Sequence, residues 1–325
     1  MENGRYDFND NTSFLVTGGA GFIGSNIVEK LLSLGVKVTV LDNFSTGKEE
    51  NIKHLISNPK LRLIEGDIRN IDDCNKACRG IDYVLHNAAL GSVPRSMSDP
   101  KTTNDVNITG TLNMLIASKN NNIKRFIYAS SSSVYGDSEK LPKEEEVVGN
   151  PLSPYAVTKI TNEMYAQIFN NSFSLPTIGL RYFNVFGKNQ DINSQYAAVI
   201  PNFIKKVISG ERPVIWGDGT QTRDFTFVEN VVEANIKACL ASDEANGMVF
   251  NIATGNRVSV LDLLNEICNI IGIKVSPIFK DWRAGDVKHS YANIEKAKKY
   301  LNYTPNYDFI TGIRKTIDWY LEKLR

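Results

Sequence analysis

The chain of 325 residues has few of the side chains that bind metals or form disulfide bonds. It contains three histidines and four cysteines; none of the cysteines forms a C-x-x-C pair, and no histidines cluster near them. We therefore expect no metal site and no Ser-His-Asp triad. Four unpaired cysteines fit free thiols in the reducing environment of the cytoplasm, which is the predicted location.

Long apolar runs and an excess of charge of one sign are also lacking. No apolar stretch reaches the length of a membrane-spanning helix, and Met1 to Thr12 lacks the apolar centre of a signal peptide. The net charge is +1, so bulk electrostatics give no attraction to nucleic acid or to an acidic membrane. We expect neither nucleic acid nor a membrane as a partner. A local basic pocket for a diphosphate is still compatible with this net charge.

Short apolar runs alternate with helical patterns through the first half of the chain. Strands are predicted over 14–16, 36–41, 61–64, 83–85, 125–129 and 177–180, with helices over 22–34, 106–119 and 155–169. Strands that are apolar along their whole length indicate a parallel sheet covered on both faces. After residue 181 the pattern is less regular, and helices are predicted over 228–240, 258–270 and 310–324.

A glycine motif lies between the first predicted strand and the first predicted helix. Gly18 permits a tight turn, Gly21 permits close approach to a pyrophosphate, and Gly24 permits close packing of helix on strand. Phe22 and Ile23 begin the helix, whose N-terminus offers free N–H groups to phosphates. The motif predicts a Rossmann-type, doubly wound α/β domain over 1–185, with 229–252 rejoining it. A smaller C-terminal α/β substrate lobe is predicted over 186–228 and 253–325.

Asp42 ends the second predicted strand, where a carboxylate accepts hydrogen bonds from both adenosine ribose hydroxyls and repels a 2′-phosphate. This favours NAD over NADP, against the alternative of a structural turn with a capping Asp. Asp67 faces the adenine amino group or caps the next helix; both alternatives stay open. The remaining predicted cofactor positions are Asn43, Ile68, Ala88 and Ala89, of which the two alanines leave room for the cofactor.

Tyr155 and Lys159 are four residues apart and share one face of a predicted helix. A lysine ammonium beside a phenol, together with a positively charged nicotinamide, lowers the phenol pKa, so that the phenolate can take a proton near neutral pH. Taken alone, a Y-x-x-x-K pattern is more often a solvated helix face than a catalytic pair. Four serines, Ser130 to Ser133, follow the strand predicted over 125–129 and either decorate a loop or bind a substrate hydroxyl.

These motifs together resemble the extended short-chain dehydrogenase/reductase family, and within it the UDP-glucose and UDP-N-acetylhexosamine 4-epimerases. The matching segments are T-G-G-A-G-F-I-G from Thr17, S-S-S-V-Y-G from Ser131, Y-x-x-x-K from Tyr155, L-R-Y-F-N-V-F-G from Leu180, R-D-F from Arg223 and R-A-G-D from Arg283. The resemblance implies NAD as cofactor and a UDP-sugar as substrate. It also implies a homodimer formed by the helices that include Val106 and Tyr155.

The resemblance further implies individual roles. Tyr155 is the base, Lys159 tunes it and binds the nicotinamide ribose, and Ser131 binds the reacting hydroxyl with help from Ser132 or Ser133. Asn107 and Tyr182 lie at the cofactor. The predicted substrate positions are Gly91, Ser92, Ser131, Ser133, Asn184, Val199, Arg223, Arg283, Asp286 and Ser290. Without the motif context, Arg223 and Arg283 would be read as surface ion pairs.

The residues after Ser131 separate epimerases from the related 4,6-dehydratases. Dehydratases carry Asp-Glu at the positions of Ser132 and Ser133, so this chain lacks their acid and base. The expected reaction is removal of hydride from C4 through a transient 4-keto sugar and its return to the other face. In epimerases confined to plain hexoses, the position that matches Ser290 resembles a bulky tyrosine. The small Ser290 leaves room for a 2-acetamido group, which favours UDP-GlcNAc/UDP-GalNAc as the substrates.

Several alternatives stay open from the sequence. The uronic acid sugars are one, since Arg95 either meets a C6 carboxylate or faces solvent. UDP-glucose/UDP-galactose, another family reaction such as decarboxylation, dehydration or reduction, and a non-catalytic NAD-binding protein are the others.

Overall fold

The computed structural model describes residues 6–192, 198–282 and 287–324. Seven parallel strands form the main sheet, in the spatial order β3-β2-β1-β4-β5-β6-β11. Their bounds are β1 Ser13–Thr17, β2 Lys37–Asp42, β3 Leu61–Glu65, β4 Tyr83–His86, β5 Arg125–Ser131, β6 Thr177–Tyr182 and β11 Val249–Ile252. The order reverses between β1 and β4, so the predicted doubly wound α/β fold is confirmed.

Helices cover both faces of this sheet. On one face α1, α8 and α10 enclose an apolar cluster that includes Ile27, Val231 and Leu301, and on the other α2, α5 and α6 enclose one that includes Met114 and Phe169. Two-sided cover explains why the central strands are apolar throughout. The helices are α1 Phe22–Ser33, α2 Ile71–Cys78, α3 Val93–Ser98, α4 Pro100–Asn104, α5 Gly110–Asn120, α6 Pro154–Phe173, α7 Val199–Ile208, α8 Val228–Leu240, α9 Val260–Ile271, α10 Glu295–Leu301 and α11 Phe309–Leu324.

A smaller lobe packs against the carboxyl ends of the main strands. Helices α7, α9 and α11 surround a separate apolar core that includes Phe203, Leu263 and Ile317. Short strand pairs complete it: β7 Val185–Phe186 with β10 Thr226–Phe227, β8 Val214–Trp216 with β13 Ile278–Lys280, and β9 Thr222–Arg223 with both β12 Val258–Ser259 and β14 His289–Ser290. The chain enters this lobe after β6 and returns to the main sheet through α8 and β11. The domain boundaries stay a prediction.

The helix predicted over 106–119 differs most from its expectation. Helical structure already begins at Pro100, because the Asp99 side chain caps α4 by accepting from the N–H of Thr102. A π-helical turn, Asp105–Thr109, then joins α4 to α5. This turn carries the buried Asn107, whose side-chain amide forms hydrogen bonds with the backbone of Leu90. The π-helical turn therefore accommodates a contact that the spacing of apolar residues does not reveal.

Smaller differences lie at element ends. Strand β5 continues two residues past its predicted end, because Ser130 and Ser131 pair with Arg181 and Tyr182 of β6. The helix predicted from 258 begins at Val260, since the two residues before it pair with β9. In the three described ranges, no helix has the length and apolar character needed to cross a membrane.

Candidate functional site

A cavity of about 1140 Å³ opens between the main sheet and the smaller lobe, at the ends of β1 and β4 where the strand order reverses. This is the usual position of a ligand site in an open α/β sheet. Its wall brings together most of the predicted positions: Gly18, Gly21, Phe22, Ile23, Gly24, Asp42, Asn43, Asp67, Ile68, Ala88, Ala89, Gly91, Ser92, Ser131, Ser132, Ser133, Tyr155, Lys159, Tyr182, Asn184, Arg223 and Ser290.

Among the described residues, two predicted positions do not appear in that wall, Asn107 and Val199. Asn107 lies behind it, fully buried, with its amide bonded to Leu90 and to the Thr158 hydroxyl, so it supports the wall at Leu90 instead of facing the cavity. Val199 begins α7, and its neighbour Ala198 lines the cavity in its place. Arg283 and Asp286 lie outside the described residues.

The glycine turn has no room for side chains. Gly18 has a φ of 67°, and a Cβ there would lie 2.8 Å from the Ala88 backbone. A Cβ on Gly24 would lie 2.1 Å from the carbonyl oxygen of Gly18. Gly21 is the N-cap of α1 and offers no side chain to its first turn, whose Phe22 and Ile23 line the cavity. This cradle and helix N-terminus fit the pyrophosphate of a dinucleotide.

Asp42 braces the same turn and lines the cavity. One carboxylate oxygen accepts from the N–H of Ala20 at 2.9 Å, and the other accepts from the N–H of Phe44 at 2.9 Å. Burial raises the pKa of Asp42 above its ordinary value, while these backbone donors oppose the rise. Each oxygen keeps a lone pair for a ribose hydroxyl. Asp42 therefore combines the two alternatives, because it holds the turn and also fits the adenosine ribose.

Asp67 does not cap the following helix. That position belongs to Asn70, whose side chain accepts from the N–H of Asp72 at the start of α2. The Asp67 carboxylate pairs with Arg69 and accepts from the Asn43 amide at 2.9 Å. Its hydrogen bond with Arg69 is the main cause that lowers the pKa of Asp67 to about 2. The capping alternative is thus wrong, and Asp67 lines the cavity as an ionised carboxylate.

Tyr155 lies in the first turn of α6, and Lys159 lies one turn later on the same side. Ser153 caps the helix by accepting from the N–H of Ala156, and Pro154 occupies the first helical position. The Tyr155 and Ser131 side chains both belong to the wall of the cavity. The Lys159 Nζ donates to the Ala129 carbonyl at 2.6 Å and lies 5.8 Å from the centre of the Tyr155 ring.

Burial dominates the electrostatics of this pair. It raises the pKa of Tyr155, opposed by the hydrogen bond with Ser131, and it lowers the pKa of Lys159 to about 8, opposed by the negative charge of Glu163. The lowering of the phenol pKa expected from the sequence is therefore not produced by the protein's own groups. Those groups supply position, and a positive charge in addition to Lys159, such as the nicotinamide of bound NAD, would favour the phenolate.

The four serines Ser130 to Ser133, of which the first two end β5, divide between two tasks. Ser130 turns away from the reacting groups and donates to the Glu163 carboxylate at 2.5 Å. The Ser131 hydroxyl accepts from the N–H of Ser133 at 3.1 Å and so caps a 3-10 turn, Ser132–Tyr135. The Ser133 hydroxyl is buried without a hydrogen-bond partner within the described ranges. All four serines line the cavity, but the Ser130 hydroxyl is engaged by Glu163.

Some wall positions carried no signal in the sequence. Asn87 precedes the two predicted alanines, and its buried Nδ2 has no hydrogen-bond partner in the described part of the chain. Its Oδ1 accepts from the Tyr182 hydroxyl at 3.4 Å. Across the cavity, Lys48 pairs with Asp191 at 3.0 Å and joins the loop after β2 to the smaller lobe. In the sequence, only its place directly after β4 could have singled out Asn87. The Lys48–Asp191 ion pair joins segments that are distant in the sequence, so no local pattern predicts it.

The smaller lobe contributes the opposite wall. Strand β14 pairs with β9 so that Ser290 lies opposite Arg223 in register. The Arg223 guanidinium donates to the Thr222 carbonyl at 2.9 Å and to the Lys288 carbonyl at 3.2 Å. Asn184 has a φ of 37° and donates from Nδ2 to the Asp224 carbonyl at 3.1 Å. Ser92 caps α3 by accepting from the N–H of Arg95, which also lines the cavity.

Comparison with known proteins agrees with this geometry. The family model described as "NAD dependent epimerase/dehydratase family" matches residues 14–253. A putative UDP-glucose 4-epimerase from Methanocaldococcus jannaschii is 38% identical over 307 residues, covering 94% of this chain and 97% of the relative.

Two solved structures are also similar. The UDP-N-acetylglucosamine 4-epimerase of Methanobrevibacter ruminantium M1, in complex with UDP-N-acetylmuramic acid, is 41% identical with a TM-score of 0.91, covering 96% of this chain and 99% of that one. The UDP-glucuronic acid 4-epimerase of Bacillus cereus, in complex with UDP-glucuronic acid and NAD, is 33% identical with a TM-score of 0.89, covering 97% and 100%.

The family match spans the glycine turn, Asp42 and the Tyr155–Lys159 pair. The predicted cofactor NAD and the predicted enzyme family are thereby confirmed. This chain belongs to the NAD-dependent epimerase/dehydratase family.

Proposed function

We propose that the chain is a UDP-sugar 4-epimerase that interconverts UDP-GlcNAc and UDP-GalNAc. The observation that carries this proposal is that Tyr155, Lys159 and Ser131 line the same cavity as the glycine turn and Asp42. One end of the cavity fits a dinucleotide, and the smaller lobe faces the other end. The reacting hydroxyl lies where the two meet.

The protein side chains move and hold protons in this proposal. NAD, when bound, takes the hydride from C4 and returns it. Tyr155 accepts the proton of the C4 hydroxyl and later gives it back. Ser131 orients that hydroxyl, Lys159 supplies positive charge beside the phenol, and Arg223 contacts the diphosphate of the substrate.

The size of the residue at position 290 supports an N-acetylated sugar. Ser290 lines the cavity with a small side chain next to Arg223 in the β9–β14 pair, which leaves space for a 2-acetamido group. The Methanobrevibacter relative, named for UDP-N-acetylglucosamine, agrees with this choice. Ser132 and Ser133 occupy the positions where dehydratases have carboxylates, which supports epimerisation over dehydration.

A uronic acid sugar is the second candidate. Arg95 lines the cavity, and a guanidinium on this wall would contact the C6 carboxylate of such a sugar. The Bacillus cereus relative is named for such a sugar.

A substrate panel decides between these sugars. Purified protein is incubated separately with UDP-GlcNAc, UDP-glucose and UDP-glucuronic acid, and the anomeric NMR signals of each product are followed. We expect UDP-GlcNAc to be converted with the highest kcat/KM. Turnover of UDP-glucose alone would refute the argument from Ser290, and preference for UDP-glucuronic acid would favour the role of Arg95.

We also propose that the protein is a homodimer formed through α5 and α6. Exposed apolar side chains form a stripe along α6, namely Val157, Met164, Tyr165 and Ile168. A second copy would remove this stripe from water. Light scattering after size-exclusion chromatography should give twice the chain mass of 36.2 kDa, and Met164→Glu combined with Ile168→Glu should give the monomer mass. A monomer before substitution would contradict the proposed dimer.

A further inference from the structure

Glu163 ties the catalytic helix to the two strands that end at the site. Its Oε1 accepts from the Ser130 hydroxyl at 2.5 Å and from the Arg181 Nε at 2.9 Å, and its Oε2 accepts from the Arg181 Nη2 at 2.8 Å. Ser130 on β5 and Arg181 on β6 are register partners. The carboxylate therefore fastens α6 to both strands, one residue before Ser131.

Arg181 is itself held on its other side. Its guanidinium lies 5.0 Å from the centre of the Tyr135 ring and donates to the Tyr135 hydroxyl and to the Glu145 carbonyl. Arg181 is 4% exposed, so the Glu163–Arg181 ion pair is shielded from water. Desolvating a buried ion pair costs free energy, so stabilisation of the fold alone does not account for this pair.

Lys159 lies one helical turn before Glu163 on α6. The groups that face this pair are Tyr155 on α6, His86 on β4, Tyr128 on β5 and Arg181 on β6. His86 is bonded by the Thr17 and Thr111 hydroxyls, and burial lowers its pKa to about 3, so its ring is neutral. Burial also raises the pKa of Tyr128.

We propose that Glu163 is a positioning residue for the reaction, whose carboxylate keeps the Lys159 ammonium charged while it holds α6 against β5 and β6. The proposal rests on the roles proposed for Tyr155 and Lys159. Burial lowers the pKa of Lys159 to about 8, and the negative charge of Glu163 opposes this lowering of the pKa. Arg181, as the partner cation, limits how much of this charge Lys159 experiences.

The two members of the ion pair give opposite tests. Glu163→Gln removes the attraction and leaves Arg181 as an unpaired cation, so the alkaline midpoint of kcat/KM should fall by about 1 pH unit. Arg181→Gln leaves the carboxylate without its partner, so the alkaline midpoint should rise. Glu163→Asp keeps the charge and should retain a midpoint close to that of the parent protein. The pH profiles of all three are measured with UDP-GlcNAc at saturating NAD.

Glu145→Gln is the matched control, because it removes another buried carboxylate of the same region whose side chain accepts from the N–H of Asn251. Its pH profile should match the parent profile. A Glu163→Gln midpoint equal to that of the parent, or a fall in both ion-pair variants, overturns the proposal. If Glu163→Gln does not fold, the midpoint of Arg181→Gln decides alone: a rise supports the proposal, and no rise refutes it.

The outcome is separable from the proposed function. An inactive Tyr155→Phe variant combined with an unshifted Glu163→Gln profile rejects only the role of Glu163. An active Tyr155→Phe variant rejects the catalytic roles on which the proposal rests.

Discussion

Replacing Tyr155 with Phe is expected to lower kcat by about 10²- to 10⁴-fold, the usual contribution of a positioned acid–base group. The substitution removes the phenol hydroxyl and keeps the ring in the first turn of α6. The glycine turn and Asp42 do not depend on that hydroxyl. Bound NAD, measured after denaturing the purified variant, should therefore match the parent protein.

Tyr165→Phe is the matched control for this substitution. Tyr165 lies on the same helix, is exposed, and is absent from the described wall of the cavity. Phenylalanine keeps the apolar ring in the stripe proposed for the dimer contact, so kcat should stay within about 2-fold of the parent. If Tyr155→Phe retained the turnover of this control, Tyr155 would not be the base.

Replacing Ser290 with Tyr is expected to lower kcat/KM for UDP-GlcNAc by about 10²-fold, with a much smaller effect on UDP-glucose. The added ring would enter the cavity beside Arg223 and take the space proposed for the acetamido group. The ratio of the two kcat/KM values measures the change, because both sugars share the UDP contacts.

Ser290→Ala separates size from hydrogen bonding in that experiment. Alanine keeps the space and removes the hydroxyl, so the preference for UDP-GlcNAc should persist. Equal losses for both sugars in Ser290→Tyr would show that the ring disrupts UDP binding and not the sugar pocket.

The central fold could be predicted because its signals are local. Apolar strands, helical spacing and the glycine turn each lie within a few consecutive residues, and the structure has these elements in the predicted order. Element ends were less predictable. The π-helical turn at Asp105–Thr109 depends on the contact between Asn107 and Leu90, which are brought together only by the folded chain.

The site was predictable as a set of positions and less so as a set of interactions. Spacing placed Tyr155 and Lys159 on one face, but their pKa values depend chiefly on burial by the folded chain and, for Tyr155, on Ser131 from β5. Asn107 shows the same limit, because the resemblance placed it at the cofactor and the structure places it behind the wall. The Lys48–Asp191 contact likewise depends on the docking of the smaller lobe.

The most direct test of the account follows the hydrogen at C4. UDP-GlcNAc carrying deuterium at C4 is incubated with the purified protein in ordinary water, and the product is examined by NMR and mass spectrometry. The account predicts UDP-GalNAc that keeps the deuterium at C4, since the hydrogen leaves and returns within one closed site. Product in which hydrogen from water has replaced the deuterium would contradict it.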